Sequence, residues 1–252
     1  MESQPRKPLT TLSIVIPVFN ERGNIGPLVQ EVVHHLRGKI VFDIVCVDDR
    51  SEDDTREVLA GLKSAFPELR VLLHQQRSGQ SLAIRNGVRQ ALSPWIATLD
   101  GDGQNDPADI LRLVSVYQTA GSGTKLIAGW RTERKDTTSK RWASRWANRI
   151  RQHFLRDDTP DTGCGIKLFE RAAFLDLPYF DHMHRYLPAL MQRAGWNTLS
   201  VPVAHRPRCS GQSKYSNLQR ALVGIRDLMG VAWLIERSHV CIATEVSSGR
   251  KE

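Results

Sequence analysis

Residues 94–107 read Pro-Trp-Ile-Ala-Thr-Leu-Asp-Gly-Asp-Gly-Gln-Asn-Asp-Pro, an apolar run followed by an acidic, glycine-rich segment. The apolar run predicts a buried strand over residues 95–99, which puts Asp100 and Asp102 at its carboxyl end, where open α/β sheets bind ligands. Two carboxylates one residue apart can face the same point, and a hard divalent cation such as Mg²⁺ or Mn²⁺ best relieves their repulsion. The same tripeptide also occurs in simple turns, so its role depends on the motifs around it.

The chain before this stretch alternates between apolar runs and amphipathic helical patterns. Strands are predicted over residues 12–17, 42–47, 70–74 and 95–99. Helices are predicted between them, up to about Arg37 with Asn24 or Asn20 as the cap, over about 54–64 with Ser51 or Asp53 as the cap, and over 81–92. Strict alternation without hairpin signals is typical of a parallel sheet covered by helices on both faces, so the predicted fold class is α/β.

Acidic residues also follow the first two strands, with Glu21 after the first and Asp49 after the second. Because the carboxyl ends of parallel strands meet at one edge of a sheet, these acids are expected to share a crevice with Asp100 and Asp102. Carboxylates can accept hydrogen bonds from ribose hydroxyls and a base N–H, so a nucleotide diphosphate is the simplest ligand that needs all three positions. Neither a Gly-x-Gly-x-x-Gly after the first strand nor a Walker lysine motif is present, which disfavours the dinucleotide and P-loop classes.

The composition suits a large α/β domain, since 40% of the 252 residues are hydrophobic and 25% are charged. The four cysteines are widely spaced, which predicts neither a zinc site nor a disulfide framework and favours a cytoplasmic location. No window offers the roughly 20 uninterrupted apolar residues that a spanning helix needs. The polar N-terminus does not have the pattern of a signal peptide, so the chain is expected to stay unexported.

The net charge of +8 is concentrated in the second half, where residues 130–252 hold 21 Lys and Arg against 12 Asp and Glu. A basic excess can serve nucleic acid, anionic lipid or phosphorylated substrates. Because the sequence carries no nucleic-acid-binding motif, no nucleic-acid partner is expected.

Three features of the second half carry this positive charge. Arg131 ends a predicted fifth strand and is either a phosphate ligand or an ordinary surface residue. Residues 139–150 place two tryptophans and an isoleucine on one face of an arginine-rich helix, a pattern typical of an interfacial helix and equally of core packing. The loop at 205–215, which follows a predicted strand over 197–203, combines cations with glycine and serine and favours phosphate binding.

Four segments of the first half form an ordered set of motifs. They are Pro-Val-Phe-Asn-Glu at 17–21, Val-Asp-Asp-Arg-Ser-Glu-Asp-Asp-Thr at 47–55, Gly-Gln-Ser-Leu-Ala-Ile-Arg-Asn-Gly at 79–87 and Asp-Gly-Asp-Gly-Gln-Asn-Asp-Pro at 100–107. In this order they resemble the motifs of family-two glycosyltransferases of the GT-A fold, in the branch of dolichol-phosphate mannosyltransferases and bacterial polyprenyl-phosphate glycosyltransferases. The resemblance covers about residues 10–237 and implies a Rossmann-like, mostly parallel sheet covered by helices, with C-terminal interfacial helices.

The resemblance implies roles for residues on the donor side. The nucleoside would be contacted by Pro17, Val18, Glu21 and Asp49, and Mg²⁺ or Mn²⁺ would be surrounded by Asp100, Asp102 and Gln104.

The resemblance extends to the acceptor side. Residues 161–169 resemble the family's segment near the reacting centre, and Asp161 there either orients a substrate or caps a turn. Catalytic roles are implied for Asp102, Asp161, Arg131 and Arg208. Substrate contacts are implied for Arg145, His184, Arg185, Arg206, Ser213 and Lys214.

The implied reaction is an inverting, metal-dependent transfer of a sugar from a nucleotide-diphosphate donor to a polyprenyl or dolichyl phosphate. GDP-mannose is the favoured donor and a UDP-sugar the second option. The acceptor phosphate is already ionised near neutral pH, so no strong general base is needed. The alternatives are a GT-A enzyme acting on a sugar hydroxyl of a cell-surface glycan, and a catalytically silent nucleotide- or membrane-binding module.

The predicted organisation has four parts. Residues 1–10 are expected to be disordered, and 11–215 to form the catalytic domain, with 11–129 as its donor and metal half and 130–215 as its acceptor half. An amphipathic membrane-interface helix is expected over 216–237 and a flexible tail over 238–252. The enzyme is therefore expected on the cytoplasmic face of the membrane, where a spanning partner protein could anchor it.

Overall fold

The computed structural model of the chain describes residues 6, 8–132, 151–152, 154–155, 157, 159–207, 217–237, 239 and 241, and the side chains of residues 217–222 are not described. Several predictions lie outside these residues. They concern the helix at 139–150 with Arg145, the basic loop with Arg208, Ser213 and Lys214, and most of the two chain ends.

The sheet has seven strands in the order β3-β2-β1-β4-β6-β5-β7. In chain order the strands are β1 Thr11–Val18, β2 Val41–Asp48, β3 Leu69–Leu73, β4 Trp95–Thr98, β5 Thr124–Arg131, β6 Lys167–Glu170 and β7 Asn197–Val203. β6 runs antiparallel to both of its neighbours, β4 and β5, and the other pairs are parallel. The prediction of a mostly parallel α/β sheet is confirmed.

Seven α-helices lie within the described residues. They are α1 Ile25–Leu36, α2 Thr55–Ala65, α3 Gln80–Gln90, α4 Asp109–Thr119, α5 Arg171–Leu175, α6 Leu187–Arg193 and α7 Asn217–Glu236, and a 3-10 helix at Met183–Arg185 precedes α6. Asn24 takes the N-cap position of α1, but its side-chain amide donates to Glu21 (2.6 Å) rather than capping the helix. His184 and Arg185, for which substrate contacts are implied, lie in the 3-10 helix.

The core lies on both faces of the sheet because successive side chains of a strand point to opposite sides. Ile14 and Ile16 of β1 pack on one face in a cluster with residues of α1 and α4, whereas Val15 joins residues of α3 and α6 on the other. The central strands are therefore buried on both faces, which explains their nearly continuous apolar sequences. This double cover leaves the carboxyl edge of the parallel strands as the open side of the sheet.

Candidate functional site

The ends of β1 and β4 lie close together at the carboxyl edge of the sheet. A Cβ atom placed on Gly101 would lie 3.0 Å from the Pro17 carbonyl oxygen and 3.7 Å from Cγ of Glu21. A side chain at this position would require the backbone at the end of β1 to shift, so glycine permits the close approach. The first and fourth motifs, about 80 positions apart in sequence, therefore form one surface.

Asp49 lies at the end of β2, and its carboxylate is held in place by the loop before α3. One oxygen accepts hydrogen bonds from the Ser78 amide and His74 Nδ1, both at 2.8 Å, and the other accepts from the Gly79 amide at 2.8 Å. A carboxylate has about four acceptor positions, so the capacity for another donor remains. Val18 fixes the backbone beside it, since the Asp49 amide donates to the Val18 carbonyl (2.8 Å).

Asp100 and Asp102 follow β4, and their surroundings favour a positive partner. Burial raises the pKa of Asp100 to about 6, and the charge of Asp102 contributes in the same direction. Lys167 and Arg131 act in the opposite direction, as does a hydrogen bond of 2.8 Å from Gln80 Nε2 to Asp100. Two carboxylates of like charge at one strand end are the chemistry expected of a cation site.

Gly165 closes the far side of Asp100. A Cβ atom on Gly165 would lie 2.2 Å from Asp100 Oδ2 and 2.7 Å from Asn105 Oδ1, so no side chain fits there. The Gly165 carbonyl accepts a hydrogen bond from Thr98 Oγ1 (2.7 Å), which ties this turn to β4.

Lys167, the first residue of β6, is a buried cation between the two halves of the site. It pairs with Thr98 of β4 and Ala128 of β5, and its ammonium group donates to the Cys164 carbonyl. Burial lowers the pKa of Lys167, and the nearby thiol of Cys164 and carboxylate of Asp100 oppose that shift. The sequence analysis assigned this residue no role, although a lysine inside an apolar strand-like run is the signal that could have identified it.

Arg131 and Asp161 are predicted site residues that bind each other. Arg131 Nε donates to Asp161 Oδ2 (2.7 Å) and Nη2 to Oδ1 (2.9 Å), in the two-pronged geometry of a strong ion pair. The amides of Arg131 and Gly163 add hydrogen bonds of 3.3 and 3.1 Å to the same carboxylate. Burial alone lowers the pKa of Arg131, but Asp161 more than compensates, and the net shift is upward. Four donors on the buried Asp161 leave it poorly suited to accept a proton.

A cavity of about 350 Å³ connects these groups to the 3-10 helix. Its polar lining includes Gln80, Asp100, Lys167, His184 and Arg185. Burial lowers the pKa of His184 well below its usual range, and the charges of Lys167 and Arg185 add to this effect. His184 is thus a neutral imidazole, 2.7 Å from Ser81 Oγ.

Arg185 differs from the neighbouring cations Lys167 and Arg131 because its side chain makes no hydrogen bond or ion pair with the residues that the structure describes. Lys167 donates a hydrogen bond to the Cys164 carbonyl, and Arg131 forms an ion pair with Asp161. The half-buried guanidinium of Arg185 is therefore available to an anion in the cavity.

Arg206 and Gln104 occupy positions different from those expected of them. The Arg206 guanidinium is paired with Glu31 (2.6 Å) and Asp106 (2.8 Å), so two carboxylates neutralise it and a phosphate contact is disfavoured. The Gln104 amide group points to the Arg206 carbonyl (3.5 Å), and the Arg206 amide donates to the Gln104 carbonyl (2.9 Å). Both residues join the acidic segment to the chain after β7.

The structure therefore divides the predicted site residues into three groups. One group converges on the edge and the cavity, and consists of Pro17, Val18, Glu21, Asp49, Asp100, Asp102, Arg131, Asp161, His184 and Arg185. Gln104 and Arg206 form a clamp beside it, and Arg145, Arg208, Ser213 and Lys214 lie outside the described residues. The sequence analysis missed Gln80, Gly165 and Lys167, which contact or pack against the acidic segment.

Comparisons with known proteins agree with this geometry. A dodecaprenyl-phosphate galacturonate synthase from Rhizobium johnstonii is 32% identical over 89% of this chain and 67% of its own length. An undecaprenyl-phosphate 4-deoxy-4-formamido-L-arabinose transferase from Pseudomonas savastanoi is 34% identical over 84% of this chain and 63% of its own length. The chain thus spans a little under two thirds of the length of most of the curated relatives that it matches.

Solved structures match the fold. A crystal structure of glucosyl-3-phosphoglycerate synthase from Mycobacterium tuberculosis in complex with Mn²⁺, UDP and glucosyl-3-phosphoglycerate superposes with a TM-score of 0.62. The match covers 93% of this chain and 82% of that one at 19% identity. The same enzyme in complex with Mg²⁺ and UDP gives a TM-score of 0.62 over 93% of this chain and 81% of its own, also at 19% identity. This likeness confirms the predicted GT-A fold.

A sequence model described as "Glycosyl transferase family 2" matches residues 13–177, which is well over half of the chain. The matched region includes β1 through α5 and therefore all the strands that carry the acidic groups of the site. The resemblance found in the motifs is confirmed, and the chain belongs to glycosyl transferase family 2.

Proposed function

We propose that this chain transfers a sugar from a nucleotide-diphosphate donor to the phosphate of a polyprenyl lipid. The observation that carries the proposal is the cavity at the carboxyl edge, which brings Asp100 of the acidic segment to one space with Arg185, a cation that has no side-chain partner among the described residues. An acidic pair suits a cation-bound diphosphate, and a free guanidinium suits a second phosphate. The curated relatives are named as transferases of sugars to polyprenyl phosphates, which agrees with this pairing.

On the donor side, Glu21 and Asp49 would bind the nucleoside in the crevice beside Pro17 and Val18. The Asp49 carboxylate is fixed by three donors yet keeps acceptor capacity, which suits a hydrogen bond from a base N–H. The close approach of Gly101 to Pro17 supports the proposal, because it puts the nucleoside crevice next to the diphosphate position.

Asp100 and Asp102 fit a divalent cation, Mg²⁺ or Mn²⁺, by the repulsion that raises the pKa of Asp100. Across the described ranges, no group of three or more His, Cys, Asp or Glu side chains is arranged to hold a metal ion. Asp100 and Asp102 would hold such a cation together with the donor diphosphate, whose oxygens are ligands that Mg²⁺ prefers. When bound, the cation would neutralise negative charge on the diphosphate.

The transfer itself needs little proton chemistry from the protein. An oxygen of the acceptor phosphate attacks the anomeric carbon from the face opposite the diphosphate, and the bond from that carbon to the diphosphate oxygen breaks. The nucleoside diphosphate leaves with the electron pair, and the sugar configuration inverts. Arg185 would orient the attacking phosphate, and Lys167 would add positive potential in the cavity.

The state of Asp161 favours a phosphate acceptor over a sugar hydroxyl. A hydroxyl acceptor needs a base to remove its proton, whereas an ionised phosphate needs none. Asp161 already accepts four hydrogen bonds, three of them from Arg131, and so is a poor base. We therefore assign Arg131 and Asp161 to shaping the turn at 161–165 around Asp100.

The helix α7 supports a location at the membrane surface. Ile225, Met229 and Trp233 recur every fourth residue and are 58%, 69% and 58% exposed. Such a stripe of large apolar side chains on a helix suits the lipid interface. Within the described parts of the chain, none of the helices has the length and apolar character that a membrane-crossing segment requires.

The donor sugar is the finer part of the proposal. The motif resemblance favours mannose from GDP-mannose, whereas the relatives are named for galacturonate and a formamido-arabinose. The solved structures of the same fold hold UDP. Peripheral binding at the cytoplasmic face, with a spanning partner as anchor, remains part of the same prediction.

The test is transfer of radiolabelled sugar from a panel of GDP- and UDP-sugars into undecaprenyl phosphate with Mg²⁺ or Mn²⁺. Label in the chloroform phase from one donor is expected, and Asp102→Ala and Arg185→Ala should each reduce it at least about a hundredfold. Arg112→Ala is the matched control, since Arg112 is exposed on α4 away from the cavity. Donor turnover with a soluble sugar acceptor and no lipid label would overturn the proposal.

A further inference from the structure

The segment 181–186 connects the cavity to the helix that carries the exposed apolar stripe. On the cavity side it presents His184 and Arg185, and His184 Nδ1 lies 2.7 Å from Ser81 Oγ at the start of α3. The Asp181 carboxylate lies against Gly79, 3.4 Å from the place of its missing Cβ. The segment therefore contacts the first turn of α3 at two points.

On the other side, His182 reaches α7. His182 Nδ1 lies 2.9 Å from Asp227 Oδ2, and both side chains are largely shielded from solvent. His182 has a φ of 64°, which is the left-handed region that residues with a side chain adopt reluctantly. Its carbonyl accepts the Arg185 amide (3.0 Å), so this strained residue forms the first turn of the 3-10 helix. The contact with Asp227 therefore helps to hold the backbone that presents Arg185.

Two further hydrogen bonds attach the same part of the chain to α7. Tyr186 Oη donates to the Gly224 carbonyl (3.3 Å), and Arg193 Nε donates to the Leu234 carbonyl (3.1 Å). Val231 is buried between them, on the helix face opposite the exposed stripe. One face of α7 thus contacts the chain around residues 182–193, while the opposite face carries the exposed apolar stripe.

We propose that His182 and Asp227 are positioning residues that couple α7 to the acceptor side of the cavity. The inference rests on the proposed function for the identity of the acceptor, but the coupling itself is a statement about the 3-10 helix. Breaking the contact frees the backbone at His182, and the backbone that carries Arg185 then loses its fixed position. The expected result is weaker capture of the lipid phosphate without a change at the donor crevice.

The test compares His182→Asn, Asp227→Ala and their double variant with the wild type. Asparagine tolerates the left-handed conformation, so His182→Asn removes the imidazole contact while keeping the backbone geometry. Arg226→Ala is the matched control, because Arg226 is the exposed neighbour of Asp227 on α7 and makes no hydrogen bond or ion pair with the described residues.

Two readouts separate positioning from general stability. The KM for polyprenyl phosphate should rise about tenfold in both single variants, and no further in the double variant, while the KM for the donor changes less than about twofold. Hydrogen exchange measured by mass spectrometry should speed up in the peptide covering 182–187 and not in peptides from β1 or β2. The control should match the wild type in both measurements.

The outcomes are distinct for the two proposals. If the wild type transfers no sugar to lipid, the proposed function fails, and the exchange measurement, which needs no substrate, still decides the coupling. If the wild type is active and the variants match Arg226→Ala in KM and exchange, the coupling is wrong. Equal rises in both KM values would assign the contact to overall stability and would also overturn the inference.

Discussion

At the scale of single residues, Asp100 of the proposed cation site has a calculable effect on stability. Its pKa of about 6 in the fold exceeds the ordinary value of 3.8, so the folded state holds the proton more tightly than the unfolded chain does. The contribution of Asp100 to stability is therefore best below about pH 4 and falls as the pH rises through about 6. At neutral pH this carboxylate destabilises the metal-free protein.

Asp100→Asn removes that charge and should raise the Tm of the metal-free protein at about pH 7.5 by a few degrees, roughly 2–4 °C for each kcal/mol gained. Near pH 4 the two proteins should melt together, because the wild-type carboxyl is then neutral. Calorimetry at both pH values checks this, with Asp54→Asn as a control at an exposed acid. A variant that melts below the wild type at both pH values would contradict the prediction.

Gly165 lies so close to Asp100 that the structure leaves no room for a side chain there. Gly165→Ala would bring a methyl group to 2.2 Å from Asp100 Oδ2, so either the turn or the carboxylate has to move. We expect the transfer rate to fall at least about tenfold, because misplacement of a site group by about 1 Å has a large cost. Steady-state transfer assays check this.

Gly121→Ala provides the control for that substitution, since a Cβ atom on Gly121 meets nothing within 4 Å. It should retain wild-type activity. If Gly165→Ala does so as well, the tight contact with Asp100 has no role in transfer.

The acidic residues of the candidate site could be predicted from their positions after strands. The residues that surround them in the fold could not be predicted from the sequence. Asp100, Asp102 and Asp49 were identified because acids at strand ends are conspicuous. Lys167 was missed because only the pairing of β6 between β4 and β5 shows that its ammonium group lies near Asp100. Arg206 was assigned to phosphate because it lies in a basic loop. Its ion-pair partner Glu31 is 175 positions away in sequence, so the pairing could not be predicted.

At the scale of elements, a strand or helix could be predicted only where its apolar or amphipathic sequence pattern was long. The first four strands and the helices between them have long apolar or amphipathic repeats, and their predicted bounds agree with the structure within two or three residues. The strand β7 was predicted with its observed bounds, Asn197–Val203. The strand β6 was not predicted, because it has four residues and an antiparallel partner over 70 positions away. Helices α4 and α5 were not predicted either.

The helix α7 carries the prediction that belongs to this scale. Replacing Ile225, Met229 and Trp233 together with glutamine should reduce binding to anionic lipid vesicles at least about tenfold, because about 0.8 kcal/mol is lost for each CH₂ no longer buried in lipid. The α7 face that packs on the fold is untouched, so the Tm should change little. Vesicle sedimentation measures the binding.

Leu92→Gln is the matched control, since Leu92 is 75% exposed at the end of α3, away from the stripe. It should bind vesicles like the wild type. Equal binding by the triple variant would show that α7 does not face the lipid.

At the scale of the whole molecule, distant parts of the chain close the site together. The segment after β7 is fastened to the acidic segment by the Ala204 amide, which donates to Asp109 (2.8 Å), and by the ion pairs of Arg206. The family and the order of its motifs were readable from the sequence because the motifs are local. The convergence of residues 100–109, 161–167 and 181–186 could not be read from the sequence. It depends on the antiparallel pairing of β6 between β4 and β5.

This convergence predicts that the nucleotide and the cation bind as one ligand and stabilise the whole fold. Neither Mg²⁺ alone, held by two carboxylates, nor a nucleoside diphosphate alone, facing Asp100 and Asp102, has a complete set of partners. Together, at about a hundred times their apparent Kd, they should add about 2.7 kcal/mol, which corresponds to a rise in Tm of roughly 5–10 °C. Thermal melting with UDP or GDP, each with and without Mg²⁺, measures this, and the larger shift identifies the nucleotide. Asp102→Ala should abolish the combined effect. A nucleotide that stabilises the wild type and Asp102→Ala equally, with no need for Mg²⁺, would show that the acidic pair takes no part in donor binding.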